Sequence, residues 1–247
     1  MNGTAHYNDT KRQKAGGWAA LYLSLSLIAA MPYFLLVVNY EAATTTAQKL
    51  GLVIANYGTM YAMTLADYQF FGFALAVLSF ALYDRFRDSA PFMARLATAA
   101  GLCWSVVLFA SGMVETFGMT TVVSLYHTNP AAAINAWGII ETVANALGSA
   151  GGELIGGTFT LLVCWIALRG RVLPRSLSWF GALVGAAGII SAVPPLHDAV
   201  YLFGLGQIVW LAWLGVAMLR TKAPATERAS AASAARVSSS LGAGQPA

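Results

Sequence analysis

The sequence predicts an all-α fold: a polytopic integral membrane bundle of six transmembrane helices, with one further amphipathic or re-entrant helix on the outer side. Three observations carry this. The 247 residues are 58% hydrophobic and only 10% charged, whereas soluble domains run at roughly 25% charged. Such a chain cannot cover a globule with polar surface, so lipid is the solvent for most of it. Apolar runs long enough to span recur along the chain, and the basic residues between them fall almost entirely on one side.

Residues 1–16 are polar and basic and read as a cytoplasmic tail. Trp18 to Tyr40 is the first apolar run, long enough for the roughly 20 residues a spanning helix needs, with aromatic residues at both ends. It exceeds the apolar core of a cleaved signal peptide, and Pro32-Tyr33-Phe34 is a poor cleavage context. The second span is expected at about Thr59 to Tyr83, with Asp67, Tyr68 and Gln69 near its start. The third runs from about Phe92 to Val114 and ends at Glu115. A Thr-rich stretch then leads to Asn129-Pro130.

Residues 131–148, AAAINAWGIIETVANALG, form a helix that is not uniformly apolar. Asn135, Gly138, Glu141, Asn145 and Gly148 recur at three- and four-residue steps and share one face. Trp137, Ile140, Ala144 and Leu147 line another. A glycine joint, Gly148 to Gly152, leads into spans at about Glu153 to Leu168, Leu177 to Val193 and Ala199 to Leu219. The Ala/Ser-rich stretch 221–247 has no apolar periodicity and is expected to be a disordered cytoplasmic tail. Residues 17–220 make one transmembrane domain.

Charge decides whether 131–148 crosses the membrane. If it stays on the outer side, giving six spans, 13 of the 14 Lys and Arg residues lie inside and Lys49 alone lies outside. If it crosses, giving the alternative of seven spans, six lie inside and eight outside. The positive-inside rule selects six. Both termini are then cytoplasmic, in a multi-pass protein of the cell's inner membrane. The net charge of +4 belongs to this asymmetry. No basic face or aromatic-basic interleaving points to nucleic acid. The expected partner is the lipid bilayer, with a membrane-protein partner or a homo-oligomer left open.

The C-terminal half carries a pattern: Gly152 with Glu153, Trp165 to Leu168, Leu173-Pro174-Arg175, Gly185 to Gly188, and Phe203-Gly204-Leu205-Gly206 through Trp210. It resembles the bacterial membrane family DUF4386 over about residues 137–220, and over the first half by span layout. The resemblance implies an inner-membrane helical bundle. It brings no established activity, so no functional residue is carried over.

Gly152 with Gly156, and Gly181, Gly185 and Gly188, place small residues at three- and four-residue spacing, as close helix packing in lipid requires. The sequence GSAGG is no phosphate loop, since no Lys-Ser/Thr follows it. Cys103 and Cys164 read as small buried hydrophobes. His127 and His197 invite a metal or haem reading, with Asp198 beside His197, but no haem-attachment motif exists and no cofactor is implied. Asp198 also suits the N-cap of the last helix.

In the six-span arrangement Asp67, Glu115, Glu141 and Glu153 all gather near the outer boundary. A carboxylate at membrane depth costs about 2.5–3.5 kcal/mol at mid-span on insertion scales, which makes these acids, with Asn145, candidate ligand- or ion-binding residues. Three function classes follow: a protein that binds or moves a proton, cation or small solute; a structural or accessory membrane subunit; and an intramembrane metalloenzyme using His197, Asp198 and a glutamate. No HExxH, GxSxG or Ser-His-Asp order supports a hydrolase, and the reading leans against an enzyme.

Overall fold

The computed structural model describes residues 2–149 and 152–221. All regular structure among them is helical. Helix α1 (Asn2–Pro32) runs on through a π-helical turn, Tyr33–Val37. After a short 3₁₀ turn at Tyr40–Ala42 comes α2 (Thr46–Ala55). Then α3 (Tyr57–Thr64) passes through a second π turn, Leu65–Phe70, into α4 (Phe71–Phe86). Next is α5 (Pro91–Tyr126), followed by α6 (Pro130–Ala144) with a third π turn, Asn145–Ser149. The chain closes with α7 (Gly152–Gly170), α8 (Arg175–Ile190) and α9 (Ala199–Arg220).

Five helical stretches are long and apolar enough to cross a membrane: Thr10–Val37, Tyr57–Phe86, Pro91–Tyr126, Pro130–Gly170 as described on either side of residues 150 and 151, and Ala199–Arg220. Helix α8 is apolar but shorter. Large apolar side chains face outward along the bundle, among them Phe73, Phe80, Val106, Trp179 and Leu183. A surface of this kind is stable only against an apolar surrounding.

The polar contacts gather several loops at one end of the bundle. Arg12 pairs with Asp84 at 3.3 Å. Gln13 donates to the carbonyls of Met218 and Thr221. Buried Arg85 donates to the Val172 carbonyl at 2.9 Å and to Thr221 Oγ1 at 3.1 Å. This is the basic end of the molecule. The N-terminal segment expected as a tail is therefore helical from Asn2, and from Gln13 onward it is tied to α9.

The third span does not stop at Glu115. Helix α5 has 36 residues, about 54 Å at 1.5 Å per residue, against about 30 Å of hydrocarbon. The Thr-rich stretch continues the helix because its hydroxyls bond back into it: Thr116 to Gly112 O at 2.8 Å, Thr120 to Thr116 O at 3.1 Å and Thr121 to Phe117 O at 2.9 Å. On the opposite side Met119 and Val122 are fully buried. Around this extension α2 and α6 build a second apolar cluster, centred on Leu50, Val53, Met119 and Trp137 and separate from the main core.

Small residues bring α7 and α8 together. A Cβ on Gly185 would lie 2.8 Å from both the Gly157 carbonyl and the Leu161 amide, so backbone meets backbone there. Gly157, absent from the expected set, is the partner of Gly185. Gly156 instead faces the Trp104 ring, Gly188 the Phe203 ring, and Gly181 the side chains of Trp210 and Cys164. Gly152 opens α7. The middle of the expected glycine joint, residues 150 and 151, and the tail from residue 222 lie outside the described residues. Cys164 is buried as expected, but Cys103 is exposed on the bundle surface. In lipid a thiol there costs little, since its surround is apolar either way.

Candidate functional site: an acidic cavity between two cores

Three π turns meet at one place. Such turns are rare, and each inserts an extra residue into a helix, which re-aims the side chains around it. Phe34 belongs to the first turn, Asp67 and Tyr68 to the second and Asn145 to the third. All four line a cavity of ≈ 460 Å³, which Tyr40, Lys49, Met60, Glu41, Glu115 and Glu141 also line. The cavity lies where the two apolar clusters adjoin.

Asp67 is fixed from α1. Ser26 Oγ donates to its Oδ1 at 2.8 Å. In the π turn the Phe71 amide reaches back to the Ala66 carbonyl, which also accepts the Tyr22 hydroxyl at 2.9 Å. The neighbouring Gln69 donates to Thr116 Oγ1 at 3.3 Å and so ties this turn to α5 beside Glu115.

Glu141, on α6, is the anchored acid. Lys49 Nζ stands 2.6 Å from its Oε1, and the Tyr40 hydroxyl donates to the same oxygen at 3.1 Å. Trp137 Nε1 donates in turn to the Tyr40 oxygen at 3.1 Å, while Lys49 Nζ lies 5.2 Å from the Tyr40 ring centre. Burial, and then the Glu141 charge, push the Tyr40 hydroxyl far above its usual range, so it remains a donor. Asn39, in the left-handed region at φ 53, turns the chain so that Tyr40 enters this network; asparagine tolerates that conformation.

Glu115 contrasts with both. It enters the cavity from α5, and the carboxylates of Glu141 and Asp67 both act on it electrostatically. Its own carboxyl has no hydrogen-bond or ion-pair partner among the described residues. The wall also carries Glu41, so four acids face one base, and that base is already paired.

Glu153 stands apart from the other acids. It lines a second, smaller cavity of ≈ 150 Å³ together with Trp104, Gly148 and Phe203. Asp67 and Tyr68 border both cavities. Thus Glu141 and Asn145 share a chamber with Asp67 and Glu115, while Glu153 stands in the adjoining one. The polar face expected on 131–148 also divides. Asn135 and Gly138 line a shallow groove with Thr46 and Thr142, away from Glu141. The cause is local: Trp137 and Ala144 are buried, and Ile140 packs on Gly118, which turns α6 so that only the Glu141 edge meets the cavity.

His197 lies near enough to Glu153 to act on it electrostatically, and its Nδ1 is 3.4 Å from the Ser191 carbonyl. No three His, Cys, Asp or Glu side chains converge into a metal-holding group among the described residues. Asp198 occupies the N-cap position of α9, but its side chain makes no capping bond. His127 is exposed.

Lys49 and Tyr40 are the residues that sequence reasoning missed. A signal for Lys49 was present. It is the one basic residue that the six-span arrangement leaves outside, and Thr45-x-x-Gln48 before it is a capping box, which the structure forms at the start of α2.

The family profile described as Domain of unknown function (DUF4386) matches residues 18–217, well beyond the C-terminal half. No curated protein and no solved structure matches the chain.

Proposed function

The chain belongs to the DUF4386 family, and from that premise we propose that it is a six-span protein of the bacterial inner membrane that binds a cation or protons in the acidic cavity, on the extracytoplasmic side. The observation that carries the binding reading is Glu115: a carboxylate inside a cavity, without a partner among the described residues, beside Asp67 and Glu141. Acids at membrane depth are costly unless something offsets them. The cation that the described residues place there, Lys49, is bound to Glu141, which leaves Glu115 to a proton or a cation from solution.

The orientation rests on two arguments. Arg12, Asp84, Arg85, Val172 and Thr221 meet at one end, so the chain crosses an even number of times between each of them and the next. That end also holds the clustered basic residues, which favour the cytoplasm. Two crossings in each of the three intervals give six, with α2 and α6 outside.

Thermal unfolding of the detergent-solubilised protein tests the binding reading. Ligands that bind only the folded state raise the midpoint with concentration. Acidification or added salts of small cations should stabilise the wild type more than Glu115→Gln at equal ionic strength. Identical responses in the two would refute the cavity as a cation site and favour an accessory subunit whose acids serve only the fold.

A further inference from the structure

The cavity's dimensions and walls say which cation it suits, taking the acidic cavity as a cation site as proposed above. A divalent metal ion needs several oxygens at once, about six to eight at 2.3–2.6 Å for calcium. The acids here line one cavity, yet no three of them converge closely enough to hold a metal among the described residues. The space, ≈ 460 Å³, is many times the roughly 30 Å³ share of one water in the liquid. A bare ion would fill only a small part of it and leave the rest to water. A cation that is bulky and partly apolar would fill it.

The wall supplies what such a cation needs. Phe34, Tyr40 and Tyr68 bring rings into the same cavity as Asp67 and Glu115. Aromatic faces attract cations within about 6 Å of the ring centre and serve in the recognition of alkylated ammonium groups. The protein already displays this chemistry with a tethered example. The Lys49 side chain is a primary alkylammonium, held 2.6 Å from Glu141 and 5.2 Å from the centre of the Tyr40 ring. Glu115 offers a second carboxylate of the same kind in the same chamber, and nothing in the described chain occupies it.

We propose that the ligand of this cavity is a small organic ammonium ion, bound with its charged head among Glu115 and Asp67 and its alkyl groups against the rings of Phe34, Tyr40 and Tyr68. Lys49 is then a neighbouring cation of like charge. It keeps Glu141 neutralised and limits how tightly the ligand is held. Removing the Lys49 charge frees a further carboxylate for the ligand.

The test is equilibrium binding to the full chain in lipid nanodiscs, read by calorimetry. Choline chloride, tetramethylammonium chloride and sodium chloride are compared at matched ionic strength with the uncharged carbon isostere of choline. The expected result is saturable binding of the two ammonium ions, with none of sodium or of the isostere at the same concentrations. Glu115→Gln should weaken it at least about tenfold, the factor carried by 1.4 kcal/mol. Lys49→Met should tighten it. If Glu115→Gln does not fold, the Lys49→Met comparison decides alone, and unchanged or weaker binding there overturns the proposal. Equal binding of the isostere would mean apolar partitioning and also overturns it. Binding of sodium in place of ammonium would leave the acidic cavity a cation site and refute the ammonium assignment. Absence of binding by all three cations would refute the ammonium assignment and leave the cavity at most a proton site.

Discussion

Replacing Lys49 by methionine keeps the length of the side chain and removes its charge. Glu141 then keeps only the Tyr40 hydroxyl at 3.1 Å, and the cavity loses its one basic group. Side-chain exposures of 28% for Lys49 and 15% for Glu141 put the pair between two limits. Exposed ion pairs contribute about 0.2–1 kcal/mol, whereas breaking a fully buried pair costs about 3–5 kcal/mol. A loss of about 1–3 kcal/mol is expected, the range for a buried polar group left without its partner. For a domain of this size that is a fall of about 2–12 °C in the unfolding midpoint. The double variant Lys49→Met/Glu141→Gln removes the stranded charge as well. It should recover most of the loss, with a coupling of about 1 kcal/mol or more between the two sites. The assay is thermal unfolding in detergent followed by tryptophan fluorescence. A silent Lys49→Met, or a double variant whose loss equals the sum of the single ones, would show that the pair is screened by solvent. The reasoning that places it in the cavity wall would then fail.

Tyr40→Phe removes the donor to Glu141 and the acceptor for Trp137. It should lower stability by about 1–3 kcal/mol, measured as a midpoint shift in the same assay. Gly185→Ala drives a Cβ into the Gly157 carbonyl and the Leu161 amide and should cost about 1–3 kcal/mol through overpacking. Gly51→Ala in α2, where a Cβ meets nothing within 4 Å, should instead leave stability unchanged or raise it by up to about 1 kcal/mol. Arg12→Ala loses only an exposed pair with Asp84 and should change the midpoint by less than the equivalent of about 1 kcal/mol.

Membrane helices are legible because lipid imposes one rule over a long window, and the runs at Thr59, Phe92, Glu153 and Ala199 fall within helices of the structure, while the run from Trp18 to Tyr40 passes the end of its helix at Val37. Their ends were less legible. Glu115 looked like a helix terminus because a charge at membrane depth is costly. The Thr-rich sequence beyond it continues the helix through i to i−4 hydroxyl bonds, which hydropathy does not register. The acids of the cavity were visible as isolated charges in apolar runs. Which of them share a chamber was not, because that depends on three π turns whose inserted residues rotate Asp67 and Asn145 relative to a regular helix. No pattern in this sequence marks such an insertion. Helix α2 has no counterpart among the expected elements because its ten residues are too few for a span, although Thr45 and Gln48 carry its capping box. With α2 went Lys49, and with Lys49 the pairing that distinguishes Glu141 from Glu115.

Cysteine accessibility at position 115 probes the central claim, that Glu115, unpartnered among the described residues, stands in an acidic cavity open to the extracytoplasmic side. In a background with Cys103→Ser and Cys164→Ala, Glu115→Cys is exposed in sealed, right-side-out vesicles to membrane-impermeant thiol reagents of equal size and opposite charge. Asp67, Glu41 and Glu141 still line the cavity, so the cationic reagent should label from outside at least about tenfold faster than the anionic one, the lower end of what a focused field gives. Addition of Asp67→Asn should narrow that ratio. Labelling only from the inner face, or equal rates for the two reagents, would contradict the account.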